Sequence, residues 1–93
     1  MAVKVRIPTI LRTYTDGSSE VSVEPSGPTL TSLLDALEDA APGIRLRVLD
    51  ETGALRRFVN IYVDDEDVRF TDGLATPVKD GALVSIIPAV AGG

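Results

Sequence analysis

Leu30, Leu33, Leu34 and Leu37 recur at i, i+3, i+4 and i+7, which is one face of a helix. The clearest segments on either side of them run instead on a period of two. A helix with one apolar face must lay it on something, and here the only candidate is a sheet. Thr29 is placed to cap the helix, and Pro42-Gly43 to stop it, because the residue before a proline avoids helical angles. The spacing therefore predicts a helix from Thr29 to about Ala41, with its leucine stripe in the core.

The strands follow from alternation. Val3, Val5 and Ile7 alternate with Lys4, Arg6 and Pro8, and Val21 and Val23 with Glu20, Ser22 and Glu24. Ile10 and Leu11 continue the apolar character of the first segment. Thr15-Asp16-Gly17-Ser18 reads as the turn that makes the two a hairpin. Residues 44–53 read as an irregular crossover holding one helical turn or a short strand, closed by a turn at Asp50-Glu51-Thr52-Gly53. Phe58-Val59-Asn60-Ile61-Tyr62-Val63 is rich in β-branched and aromatic residues and is the plainest strand. Asp64 to Asp67 reads as an acidic turn, Val68-Arg69-Phe70 as a short edge strand, and Leu83 to Ile87 as the last strand. Thr71-Asp72-Gly73 and Lys79-Asp80-Gly81 are further turns. The simplest closure sets the last strand beside the first, parallel to it and central. The fold class is α+β, with a mixed sheet of four to five strands and one main helix packed across it.

Composition narrows the chemistry. The 93 residues suit one domain, and an apolar fraction of 44% suits a folded one. Cysteine and histidine are both missing, which removes thiolate zinc sites, disulfides and the commonest general base. The expectation is a chain that is not an enzyme and binds no metal or cofactor itself. Asp64, Asp65, Glu66 and Asp67 lack the glycine and the ligand spacing of a calcium loop, so they read as a solvated turn. Arg56 and Arg57 read as solvated charges. A net charge of −5 disfavours nucleic acid, and no apolar run approaches a membrane span. The N-terminus lacks the apolar stretch of a signal peptide, so a cytoplasmic protein is expected.

The chain ends Pro88-Ala89-Val90-Ala91-Gly92-Gly93, directly after its last strand. We divide it into a domain at 1–88 and a flexible tail at 89–93. Glycine has no Cβ and can thread a channel too narrow for other residues. Fully extended, Ala89 to Gly93 reach roughly 17 Å, enough to place the terminal carboxylate inside another protein's active site. By itself the dipeptide also fits a frayed end or an expression remnant.

These elements with a terminal Gly-Gly resemble the ubiquitin-like sulfur carriers of the MoaD/ThiS family, and within it the CysO type. The resembling stretches are residues 7–12, Phe58 to Val63, Glu66 to Phe70 and Pro88 to Gly93. The resemblance implies the β-grasp strand order. It also implies a thiocarboxylate/adenylation site at Gly93, and a tail of Ala89, Val90, Ala91 and Gly92 inserted into partner active sites. An E1-like adenylyltransferase/sulfurtransferase of the MoeB, MoeZ or ThiF type would use ATP and Mg to activate Gly93. A sulfur-acceptor synthase would take the sulfur: a cysteine synthase carrying pyridoxal phosphate, followed by a zinc-dependent peptidase, or a thiosugar synthase. Molybdopterin and thiamin routes use similar carriers, and a protein modifier joined to lysines through Gly93 would share the activated end. A plain binding module, whose tail has no role, is the third alternative. The family also implies an apolar partner-binding patch on the sheet face away from the helix. Alternation puts Pro8, Tyr62 and Ile87 there, with Pro88 at the root of the tail.

Overall fold

The computed structural model describes residues 2–88. Met1 and the tail at 89–93, with the domain boundary drawn there, lie outside the described residues. Strand β1 (Val3–Arg6) buries Val3 and Val5 and exposes Lys4 and Arg6, as alternation requires. It pairs antiparallel with β2 (Glu20–Val23), Val5 opposite Val21.

The hairpin link is not the tight turn expected. Thr9–Thr15 form a 3-10 helix, entered at Pro8. This turn tucks Leu11 into the core and leaves Ile10 in solvent, so the two do not extend the strand. Asp16 and Gly17, both at positive φ, then reverse the chain, and the Ile7 amide donates to the Ser19 carbonyl at 2.8 Å.

Helix α1 (Leu30–Ala40) matches the expected span within one residue at each end. Thr29 caps it, its hydroxyl oxygen accepting from the Ser32 amide at 3.3 Å. Leu30, Leu33, Leu34 and Leu37 are buried against Val5, Ile61, Val84 and Ile86 in one core. Truncating one such leucine to alanine costs roughly 2–5 kcal/mol. The crossover holds one helical turn, α2 (Arg45–Val48), and the Asp50 turn that follows is closed by its own carboxylate, which accepts from Thr52 and Ala54.

Strand β3 (Val59–Val63) buries Val59, Ile61 and Val63. Asp64 and Asp65 both lie at positive φ and make a two-residue hairpin turn into β4 (Glu66–Asp67). The expected edge strand at 68–70 is instead a 3-10 turn, started by Asp67, whose carboxylate accepts from the Arg69 amide at 2.9 Å. Val68 drops fully into the core there, which an edge strand continuing outward would not allow. Strand β5 (Leu83–Pro88) lies in the middle of the sheet, order β2-β1-β5-β3-β4, parallel to β1 and antiparallel to β3. Among the described residues no helix is long and apolar enough to cross a membrane.

Candidate functional site at the root of the tail

The site starts from how β5 ends. Val84 and Ile86 are buried beneath α1, while Ser85 and Ile87 face the other side of the sheet. In register, Ile87 stands opposite Asn60, and Pro88 opposite Val59. The central strand thus carries the chain to one end of the sheet, between the start of β3 and the segment after β1. Ala89, Val90, Ala91, Gly92 and Gly93 lie outside the described residues, so the geometry of the site is that of the tail's root.

Pro8, Ile87 and Pro88 come together there. With Arg6, Ile7 and Ser85 they line a shallow, mostly apolar depression of about 290 Å³. Ile87 is 46% exposed, a large apolar side chain left in water on a sheet face that could have been polar. Tyr62 is not in this depression. It lies half-buried on the same face, in the row Arg6–Ser85–Tyr62–Asp67. Tyr62 and Ile87 therefore share the face away from α1, but only Ile87 lines the depression with Pro8 and Pro88.

Sequence reasoning missed three further exposed apolar residues. Phe58 precedes Val59 at the tail's root, Ile10 follows Pro8 by two residues, and Phe70 is 87% exposed. Both of the chain's phenylalanines are thus in solvent, although phenylalanine is normally a core residue. Phe70 was hidden from the reading because its segment looked like a strand.

Arginines frame this end. The Arg69 guanidinium bridges to the Asn60 side chain and donates to the Arg56 carbonyl at 2.8 Å, tying the 3-10 turn to the start of β3. Arg56 is not merely solvated, since its Nε donates to the Leu46 carbonyl at 2.8 Å and holds α2 in place. Arg57 is exposed. The acidic turn sits at the opposite end of β5, where Asp64 accepts from the Leu83 amide at 3.0 Å. Arginines thus stand near where β5 ends, and the acidic turn near where it begins, beside Lys4 and Lys79. No group of three or more potential metal ligands gathers among the described residues.

Comparison with known proteins agrees with this arrangement. The family model for the ThiS family matches residues 5–93. The chain is 55% identical to the sulfur carrier protein CysO of Mycobacterium tuberculosis over 95 aligned positions, covering all of both chains. A putative sulfur carrier protein of Archaeoglobus fulgidus is 36% identical, again over the whole of both. In structure the chain resembles one from the crystal structure of the Amycolatopsis orientalis BexX/CysO complex, with a TM-score of 0.88 and 50% identity over 98% of this chain and 99% of that one. A β-grasp sheet with its central last strand ending at one rim, and a likeness to sulfur carriers along its whole length, make this chain a member of the ThiS/MoaD family of ubiquitin-like sulfur carriers.

Proposed function

We propose that the chain carries sulfur as a thiocarboxylate on Gly93 and delivers it to a biosynthetic enzyme, cysteine synthesis being the favoured destination. The observation that carries this reading is the end-to-end identity with a named sulfur carrier, with a family match that runs through Gly93. The chemistry is consistent with it. A terminal carboxylate resists nucleophiles, so an activating enzyme joins it to AMP from ATP, with Mg, and releases pyrophosphate. Sulfide-level sulfur then displaces AMP at the carbonyl. The carrier contributes position and no reactive side chain, as suits a chain without Cys or His that is itself no enzyme.

On this reading Ala89 to Gly92 enter the partner's channel, and Pro8, Ile87 and Pro88 dock at its mouth, with Tyr62 beside them. Arg57 and Arg69 suit a partner whose channel has an acidic rim. The activating adenylyltransferase/sulfurtransferase and the acceptor synthase bind in turn, since both need the same tail. Pyridoxal phosphate belongs to the synthase and zinc to the peptidase that would release the product. The related carrier seen in complex with BexX supports a dedicated acceptor, and a thiosugar or other synthase is the alternative destination. The cytoplasm, where ATP and activating enzymes meet, is the proposed compartment.

The test is intact mass after incubation with ATP, Mg, a sulfide donor and the activating enzyme. A sulfur-for-oxygen gain at Gly93 is expected, followed by a further gain to a peptide-linked cysteine when a cysteine synthase and its activated serine substrate are added, and a return to the carboxylate form when the peptidase releases that cysteine. An unchanged carboxylate overturns the reading. Conjugates to lysines of other proteins, with no sulfur gain, establish a modifier instead.

A further inference from the structure

A second depression on the described surface has no part in this chemistry. It is an open groove of about 560 Å³ between β2 and the second half of α1, lined chiefly by Ser22, Val23, Glu24, Ala36, Asp39 and Ala40. Its wall is the free edge of the sheet, because β2 is the outermost strand on that side. Which backbone groups are free follows from the ladder. Ile7 donates to Ser19, so the hydrogen-bonded pairs with β1 are Ile7–Ser19, Val5–Val21 and Val3–Val23. The Lys4 amide turns the other way, donating to the Ala82 carbonyl at 3.1 Å. The N–H and C=O groups of Glu20, Ser22 and Glu24 therefore point outward, and no described residue bonds to them.

We propose that this edge is a docking strand for an extended basic segment of a partner protein, added antiparallel to β2. The side chains set its chemistry. Glu20, Ser22 and Glu24 stand in a row on the outer face, so a cation is favoured opposite each glutamate and a small residue opposite Ser22. The two intervening residues of the guest point inward, where Val23, Ala36 and Ala40 leave an apolar floor of small side chains. Asp39 adds a third carboxylate at the groove's rim. The matching segment reads basic–apolar–small–apolar–basic. Strand β1 already sets one such pair on the other side of β2, with Arg6 opposite Glu20.

A second copy of the same chain does not fit. Antiparallel self-pairing about Ser22 sets Glu20 of each copy opposite Glu24 of the other, four carboxylates on two rungs. Like charges directly opposite are destabilising, and glutamates on an exposed edge are a common guard against self-association. The same pair that repels a copy recruits a basic strand.

The test uses the full chain, isotope-labelled, and a capped peptide with the core Lys-Val-Ser-Val-Lys. Amide shifts confined to Glu20–Glu24 and Ala36–Ala40, with slowed hydrogen exchange at Ser22, are expected. Glu20→Lys with Glu24→Lys, both at exposed positions, weakens binding about tenfold or more. Ser22→Pro removes one outward N–H without breaking the β1 ladder and has the same direction of effect. No shifts, equal binding of a Glu-Val-Ser-Val-Glu peptide, or shifts confined to the Ile87 face overturn the proposal. So does concentration-dependent dimerisation through β2 without peptide. None of these outcomes bears on sulfur transfer at Gly93, so the two readings stand or fall separately.

Discussion

Pro88 faces Val59 on the last rung of the β3–β5 ladder, and neither residue gives that rung an N–H. Proline has none, and the Val59 amide donates to the Arg56 carbonyl at 3.1 Å. Among the described residues, this rung therefore carries no N–H of its own. A proline inside a central strand would break a ladder, but on a rung whose partner amide already bonds elsewhere it breaks nothing.

Ile87→Arg should leave the fold intact, because the side chain is already 46% exposed on the sheet face away from α1. The unfolding midpoint should shift by no more than about 0.5 kcal/mol equivalent. The activating enzyme's KM for the carrier should rise about tenfold, as for loss of an anchoring residue. Steady-state adenylation assays beside denaturation curves check both.

Glu38 makes stability depend on acid. Its carboxylate accepts from the Gly43 amide and the Arg45 amide, each at 2.9 Å, and so ties the end of α1 to the start of α2. The Gly43 bond first, and the Arg45 bond next, hold its pKa below the ordinary 4.5. The folded pKa is lowered, so the stabilisation is complete above the unfolded value and is lost as pH falls from about 4.5 through the folded pKa. Glu38→Gln should cost about 1 kcal/mol at neutral pH and flatten this acid limb. Some slope should remain, since the Thr52 side chain and the turn amides also lower the pKa of Asp50. Urea titrations at several pH values measure the difference.

Gly43→Ala should destabilise by about 1–2 kcal/mol. Gly43 sits at φ +97°, and an added Cβ would meet the Tyr14 ring carbon Cε1 at 3.0 Å. Tyr14 cannot withdraw freely, because its hydroxyl accepts from Arg47 Nε at 2.6 Å. In a Tyr14→Ala background the same substitution should cost less, leaving only the backbone strain. A double-mutant cycle by denaturant unfolding separates the two parts.

Arg69→Ala should loosen the start of β3. Its guanidinium holds the Asn60 side chain and the Arg56 carbonyl, both reached from the far side of the 3-10 turn. Amides from Arg57 to Asn60 should exchange faster, with a global loss of about 1 kcal/mol. Arg69→Lys, which keeps the charge and loses the fork, should recover little of the protection.

The legible parts were those set by local pattern. The leucine spacing of α1, its Thr29 cap, and the alternation in β1, β2, β3 and β5 all appear where period and burial demand them. Three segments misled or stayed open, and each for a tertiary reason. Thr9–Thr15 leave the strand pattern so that Leu11 can reach the core. Val68 does the same at 68–70, and the choice of a helical turn at 45–48 rests on burying Ile44 and Val48. The composition of these segments fits either outcome, since only the packed neighbours decide which apolar residue goes inside.

The same division runs through the site. Sequence alone determined that one apolar strand leads straight into Ala-Val-Ala-Gly-Gly and that the chain has neither Cys nor His to act with, because both are facts of order and kind. The expected closure, with this strand central beside the first, is the one found, but only the tertiary structure decided that Pro8 meets Ile87 and Pro88 while Tyr62 stands apart, and that β2 keeps a free edge. Those are matters of which strand pairs with which, and pairing between distant segments is settled by burying α1's leucines on one shared face.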